Sequence, residues 1–381
     1  MLEPKTSSHQ RFLVASIVPS KLSDQEAFFD IKEVRDLIDS YEGTVIDYVI
    51  QHREIHDKGL YLGSGKIQEI ASLIKEQDIH ILVLNAIVKP SHIFDIKKTL
   101  EKSHPKIAVW DRVDLILHIF SRHANTTEAR LQIELAAMRH MGPRIYGLGY
   151  ELSRQGGSIG TRGIGETNTE LMKRHWSSQM KKVEDKLTKL SEDRKRQLER
   201  RQRMGMHTVS IIGYTNAGKT SLFNILTKKE QYVKDALFAT LDSHVGKLFL
   251  PAFPKQIIIS DTIGFIHNLP ANLIDAFRST LMESLYADLL IHVIDSTDLD
   301  LVRKMKTVTS VLKELNVNTK PQLLVFNKTD QLTKDQLINL KKDFNHTNAI
   351  FLSVKNTQGI EDLLKEIQRF FVRKNEIPLT S

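Results

Sequence analysis

The residues Gly213, Tyr214, Thr215, Asn216, Ala217, Gly218, Lys219 and Thr220, followed by Ser221, carry the spacing G-x-x-x-x-G-K-[ST]. Two glycines let a backbone fold tightly around phosphate oxygens, so that successive N–H groups point inward at a helix N-terminus. Lys219 is then placed to reach β- and γ-phosphates, and the Thr220 hydroxyl to ligate Mg²⁺. The pattern has this meaning only between a strand and a helix. Residues 209–212 are an apolar, strand-like run, and residues 221–228 read as the opening of a helix. The stretch implies nucleotide binding.

Which nucleotide depends on groups further along. Asp261, Thr262, Ile263 and Gly264 form D-x-x-G, in which the carboxylate can hold Mg²⁺ through water and the Gly264 N–H can sense a γ-phosphate. That motif alone is weak. Asn327, Lys328, Thr329 and Asp330 are far more specific. The Asp330 carboxylate can accept from guanine N1–H and N2–H₂, whereas adenine presents no matching donors. Buried polar groups left unpaired make such discrimination steep, about 10⁴-fold or more. Asn327 can tie this loop to the phosphate loop, and the Lys328 stem can lie along the base. Ser353, Val354 and Lys355 stand where a backbone would meet guanine O6. Phe238, Ala239, Thr240, Leu241 and Asp242 supply one more hydroxyl, Thr240, expected to close over Mg²⁺ and γ-phosphate and to let go after hydrolysis. Phe265 replaces the glutamine that orients the attacking water in many small switches. Slow intrinsic hydrolysis and dependence on a partner are therefore expected.

Positioning these groups requires a sheet. Apolar runs at 257–259, 289–294, 323–326 and 349–352 end at or just before Asp261, Asp295, Asn327 and Ser353. Uniformly apolar strands belong to a parallel sheet covered by helices on both faces, and ligands bind at the carboxyl ends of such strands. Residues 206–373 are read as this α/β nucleotide domain, with a tail at 374–381. Upstream, strands are expected over 12–18, 45–50, 80–84 and 107–109, and helices over 31–40, 67–75 and 93–101. That alternation predicts a smaller N-terminal α/β domain over residues 1–122. Gly59, Gly63, Gly65 and Lys66 imitate a second phosphate loop, but Leu60 and Ile67 break the spacing, so a strand-to-helix turn is expected there.

Between the two lies an arm, residues 123–205. Residues 126–141 and 166–203 have helical patterns, with Met180, Val183, Leu187 and Leu190 at coiled-coil spacing. An antiparallel helical hairpin is expected. Eight of the chain's 18 glycines fall within 142–165, a density that predicts an irregular loop at the tip. Arg144, Arg154 and Arg162 sit in it and are candidate RNA contacts. Residues 166–203 hold 12 Lys or Arg against 7 Asp or Glu, much of the chain's formal +8. Such a run is either a solvated face or a surface for a polyanion.

The 381 residues contain no cysteine, which excludes disulfides and thiolate metal sites, and the 15 histidines form no metal-spaced cluster. No apolar run reaches the roughly 18 residues of a membrane span. Residues 1–10 lack a signal-peptide core.

The chain resembles the HflX GTPases, a translation-factor-related family. The resemblance rests on Gly65-Lys66-Ile67-Gln68-Glu69-Ile70, on Leu131-Gln132-Ile133-Glu134-Leu135 with Arg139-His140, and on Gly163-Ile164-Gly165-Glu166-Thr167. It extends through the phosphate loop with Ser221-Leu222-Phe223-Asn224, through Phe238 to Asp242, and through Asp261 to Phe265. It implies a monomeric, cytoplasmic GTPase using Mg²⁺. Such a protein would bind the large ribosomal subunit and its rRNA through the arm, be stimulated there, and split or rescue ribosomes under stress. A ribosome-assembly or RNA-remodelling NTPase is the alternative. The Lys219-Thr220-Ser221 order inverts the usual Lys-Ser-Thr and keeps a hydroxyl at the Mg²⁺ position. Ser158, Asn168 and Thr169 also depart from the pattern. Many relatives continue into a further small domain, whose contacts are not expected of a chain ending at Ser381.

Overall fold

The computed structural model describes residues 9–19, 22, 24–155, 164–229, 237–238, 244–250, 253, 255–267, 270, 273, 281–345 and 347–376. They divide into two compact units, Met1–Lys189 and Leu190–Ser381.

The first unit opens with β1 (Arg11–Val18), α1 (Asp24–Ser40), β2 (Thr44–His52), α2 (Ser64–Glu76), β3 (Ile81–Leu84), α3 (Pro90–Leu100) and β4 (Ala108–Asp111). The strands form a four-stranded sheet in the order β2-β1-β3-β4, every pairing parallel, as the βαβ alternation implied. Leu13, Ala15, Leu82 and Leu84 on one face meet Ile67, Ile70 and Ile74 of α2 and Ile93, Ile96 and Leu100 of α3. The glycine run at 59–65 is the turn from β2 into α2. Gly63 is the N-cap, its N–H donating to Gln51 Oε1 at 3.0 Å, and Lys66 pairs with Glu69.

The sequence reading had no helix after β4. The structure places α4 there (Arg112–His123), with Val113, Leu115, Ile116, Leu117, Ile119 and Phe120 buried. The helix starts directly where β4 ends, with Asp111 both the last strand residue and the N-cap, so no turn residue separates the two elements. Its start is set by a capping box in which Asp111 and Asp114 each accept the other's backbone N–H.

Two long helices follow, α5 (Thr127–Gln155) and α6 (Ile164–Arg203). The expected irregular loop over 142–165 is corrected: α5 runs through Gly142, Gly147 and Gly149 to Gln155. A lone helical glycine costs only about 1 kcal/mol relative to alanine, and these three are spaced apart. The densest glycines, 156–163, lie outside the described residues. The hairpin itself is present. Leu131, Leu135 and Met138 pack with Trp176, Met180, Val183 and Leu187. Trp176 Nε1 donates to Met138 O at 3.0 Å, and Arg139 pairs with Glu184 at 2.9 Å.

The second unit holds a six-stranded sheet in the order β10-β9-β8-β5-β7-β6. Its strands are β5 (His207–Gly213), β6 (His244–Leu248), β7 (Ile257–Asp261), β8 (Leu289–Asp295), β9 (Gln322–Asn327) and β10 (Ile350–Phe351). All pairings are parallel except β6 on β7, an antiparallel edge that the reading lacked. Five residues including Gly246 and Lys247 give no apolar run to find. Val209, Ile211, Ile291, Val293 and Val325 form a core with Leu222 and Phe223 of α7 (Lys219–Thr227) and with Leu363, Ile367 and Phe371 of the last helix, Ile360–Glu376. Ile294, Phe326 and Leu301 pack on the opposite face. Among the described residues no helix is long and apolar enough to cross a membrane.

Candidate nucleotide site

The central strand β5 ends at Gly213, the chain turns through Tyr214 to Gly218, and α7 begins at Lys219. Gly218 has φ 92°, and a Cβ there would lie 2.2 Å from Asn327 Nδ2, so both the turn and the neighbouring loop require glycine. Asn216 takes the left-handed region at φ 61° and is exposed. Thr215 and Ala217 are buried. Lys219 is 6% exposed and its Nζ donates to Tyr214 O at 2.7 Å. Burial lowers its pKa to about 8, against the opposing pull of Asp261.

Asp261 closes β7 beside the loop. Its Oδ2 accepts from Thr220 Oγ1 at 2.7 Å, and its Oδ1 is buried without a hydrogen-bond partner. Burial raises its pKa, with Lys219 and Thr220 opposing. A hydroxyl and a half-satisfied buried carboxylate side by side are a donor set that fits Mg²⁺. Thr262 donates to Ile211 O, and Ile263 is buried. A Cβ on Gly264 would meet Thr215 Cγ2 at 2.7 Å and both Lys219 Nζ and Thr215 Cα at 2.9 Å, so the close approach of this segment to the phosphate loop requires glycine. Phe265 is 1% exposed. Its N–H donates to Gly213 O at 3.2 Å and its carbonyl accepts from Thr215 N–H at 2.9 Å, strapping the D-x-x-G segment to the phosphate loop. The Tyr214 hydroxyl accepts from His267 N–H at 2.8 Å, and Lys304 Nζ lies 4.8 Å from the Tyr214 ring centroid. The reading of the sequence missed this strap. Nothing in residue type signals a main-chain bridge.

Asn327 ends β9 and is 2% exposed. Its Nδ2 donates to Ala217 O at 2.9 Å and its Oδ1 accepts from Val354 N–H at 3.0 Å. One side chain thus joins three loops. Lys328 (φ 65°) pairs with Asp295 at 2.7 Å, and Thr329 opens a short 3-10 turn. Ser353 is fully buried. Its Oγ donates to Asp330 Oδ1 at 2.6 Å and accepts from Asn356 N–H at 3.1 Å. Lys355 is exposed. Of the remaining expected segment, Phe238 is buried with φ 59°, while Ala239, Thr240, Leu241 and Asp242 lie outside the described residues. His292 of β8 is a buried polar residue the reading did not single out. Burial first, then the charge of Lys219, lowers its pKa to about 4.

The arginine assignments need correction. Arg144 is not free to reach RNA. Its Nη1 lies 2.6 Å from Asp114 Oδ2, its Nη2 lies 3.0 Å from Asp111 Oδ2, and its side chain is 16% exposed. His140 Nε2 joins the same cluster, 3.1 Å from Asp111 and 3.3 Å from Asp114. Two carboxylates and an imidazole at that spacing resemble a metal site. Here the Arg144 guanidinium and a His140 imidazolium, opposed by burial but its pKa raised to about 9 by the two acids, together balance the carboxylates, so the cluster is an ion-pair network. The Arg154 side chain and Arg162 lie outside the described residues.

A strand–loop–helix phosphate cradle, D-x-x-G beside it and N-K-x-D beyond, all at strand ends of one sheet, define a P-loop GTPase domain. Family models agree. Residues 208–328 match one described as "50S ribosome-binding GTPase", residues 29–121 "GTP-binding GTPase N-terminal", and residues 123–203 "GTP-binding GTPase Middle Region". The chain is 38% identical over 376 residues to GTPase HflX of Caldanaerobacter subterraneus subsp. tengcongensis, covering 99% of this chain and 84% of that one. It is 33% identical to GTPase HflX of Escherichia coli K12, covering 89% and 78% respectively. Among solved structures, the SsGBP–GDP complex aligns with a TM-score of 0.51 at 26% identity, over 94% of this chain and 98% of that one. The chain belongs to the HflX family of GTPases.

Proposed function

We propose that the protein is a GTP-hydrolysing switch that associates with the large ribosomal subunit and splits or rescues ribosomes under stress. The observation that carries the guanine reading is the loop set at Asn327, which holds Asp330 beside Ser353 at the end of the sheet. In this reading Asp330 accepts from guanine N1–H and N2–H₂, and the backbone of Ser353, Val354 and Lys355 faces O6. The N–H groups of residues 216–221 cradle the phosphates around Lys219, and the Gly264 N–H reports the γ-phosphate. Thr220 and Thr240 would hold Mg²⁺, with Asp261 reaching it through water. The ion would neutralise charge on the β- and γ-phosphates.

Phe265 is buried and has no group that could orient water. Hydrolysis then waits for a partner to complete the site. Support for a ribosomal partner comes from the description of the matched family and from α6, where Lys181, Lys182, Lys186 and Lys189 are exposed. Cations along an exposed helix suit an RNA backbone. With Arg144 engaged elsewhere, Arg154 and Arg162 remain the candidate contacts at the tip.

Sedimentation with isolated large subunits tests the reading. Binding is expected with a non-hydrolysable GTP analogue and weaker binding with GDP, and phosphate release should rise about 10³-fold or more when subunits are added. Equal sedimentation in both nucleotide states, or unchanged turnover, would overturn it. Displacement of bound GDP by ATP as readily as by GTP would favour the RNA-remodelling alternative.

A further inference from the structure

Lys328 lies between two acids, and the structure shows which one takes it. Asp330 stands two residues further along the same loop, and Asp295 stands at the end of the neighbouring strand β8. The Lys328 ammonium is 2.7 Å from Asp295 Oδ2. The parallel register sets Asp295 directly beside Asn327. The two strand ends are further joined by Ser296, whose N–H and Oγ both donate to Asn327 O, at 3.0 and 2.6 Å. Asp295 is itself aimed. Its Oδ1 accepts from Thr297 N–H at 3.0 Å and from Thr297 Oγ1 at 2.7 Å, which leaves Oδ2 for the lysine. Both members of the pair are about four-fifths buried, at 24% and 19% side-chain exposure, so the geometry is held rather than averaged by solvent.

The alternative pairing has a chemical consequence. Asp330 offers one carboxylate oxygen to Ser353 and must keep the rest of its acceptor capacity for the two donors of the guanine edge. An ammonium resting on Asp330 would compete for those lone pairs and cancel the charge that strengthens them. It would also carry the Lys328 stem away from the place where a base would lie.

We propose that Asp295 is a positioning residue for guanine recognition: it holds the Lys328 ammonium away from Asp330, keeping the base-reading carboxylate open and the lysine stem laid along the base. This rests on the assignment of Asp330 as the guanine acceptor. Asp295 acts through Lys328 and does not itself contact the nucleotide.

The test is a double-mutant cycle on the full chain, with GDP, inosine diphosphate and xanthosine diphosphate as probes and thermal melting as the fold control. Asp295→Asn keeps an acceptor for Thr297 N–H while losing the charge. It should weaken GDP about tenfold and narrow the preference for GDP over inosine diphosphate, which lacks the N2 amino group. Lys328→Met should also weaken GDP. In the Lys328→Met background Asp295→Asn should add less than a twofold change, because the group it restrains is gone. Asp295→Asn that leaves GDP affinity within twofold of the parent overturns the proposal. So does an equal loss with and without Lys328, which would make Asp295 a brace for its own turn. Should Asp295→Asn fail to fold, Asp295→Ser takes its place with the same expectations. Asp330→Asn separates this inference from the reading beneath it. A shift toward xanthosine diphosphate in that variant upholds the base assignment even where the cycle shows no coupling. The absence of any shift removes the base assignment itself.

Discussion

The protein contains two parallel sheets with helical crossovers, and their strand ends are furnished in opposite ways. At the carboxyl ends of the N-terminal sheet the charges answer one another. Arg112 pairs with Glu33 and donates to Asn85, and Asp111, Asp114, His140 and Arg144 close into a network. At the carboxyl ends of the nucleotide sheet Lys328 and Asp295 pair, but around the phosphate loop the charges are left over. Among the described residues Lys219 is buried with only a carbonyl accepting from it, and Asp261 Oδ1 and Thr215 Oγ1 are buried and unpartnered. An unpaired buried charge costs several kcal/mol unless a ligand completes it. The same architecture therefore serves as a fastening in one unit and as a receptor in the other, and the difference lies in which charges are left over.

The strongest way to break this comparison is Lys219→Met. GTP hydrolysis should fall by more than about 10³-fold with loss of the phosphate contacts. The nucleotide-free melting temperature should not drop, because a desolvated ammonium has been removed. A destabilised apo protein would show that Lys219 is part of the fabric after all. Next is Asp330→Asn, expected to weaken GDP about 10³-fold and to favour xanthine nucleotides, read by competition binding. Unaltered GDP affinity would refute its role.

Arg144→Met probes the other side. Removing one partner from a buried network costs about 3 kcal/mol. It should lower the protection of residues 108–144 in hydrogen exchange while leaving GDP affinity unchanged. The smallest effect is a divergence with pH. Burial opposes a charge on His140, but Asp111 and Asp114 raise its pKa from 6.5 to about 9. Burial likewise opposes the charge on Asp114, yet His140 and Arg144 hold it down from 3.8 to about 2. The histidine's contribution is complete below pH 6.5 and disappears as pH rises through 9. The aspartate's is present above 3.8 and is lost as pH falls through 2. Lys219, lowered from 10.5 to about 8, runs the other way: its contribution is present above pH 10.5 and is lost as pH falls through 8. Between pH 8 and 9 the first unit should therefore lose stability while the nucleotide-free second unit gains it. Hydrogen exchange resolved by unit checks the sign.

Much of the nucleotide sheet was legible because most of its strands are apolar runs ending on a group that does chemistry, as at Asp261 and Asn327. The N-terminal βαβ alternation was legible for the same reason of period. What escaped was structure without a boundary or a run. The helix Arg112–His123 follows β4 with no turn residue between them, and β6 is too short and too polar to stand out. The glycines of α5 misled, because their density along the chain concealed that three of them stand singly. Arg144 misled for a different reason: an arginine in a glycine-rich stretch looks available until the fold brings Asp111 and Asp114 to it from some 30 residues away. Asp295 was visible as a strand-end acid, but its partner was not.

The amide of Asn327 occupies the space that any side chain on Gly218 would need. The phosphate loop and the Asn327 loop are thus a single casting. GTP and GDP share everything that this casting would touch, so it can hold either without telling them apart. What would distinguish them lies on the γ-phosphate side, in the segment strapped to the phosphate loop at Phe265 and in the expected closure at Thr240, and an inhibitor shaped only to the nucleoside end would hold the protein without choosing its state.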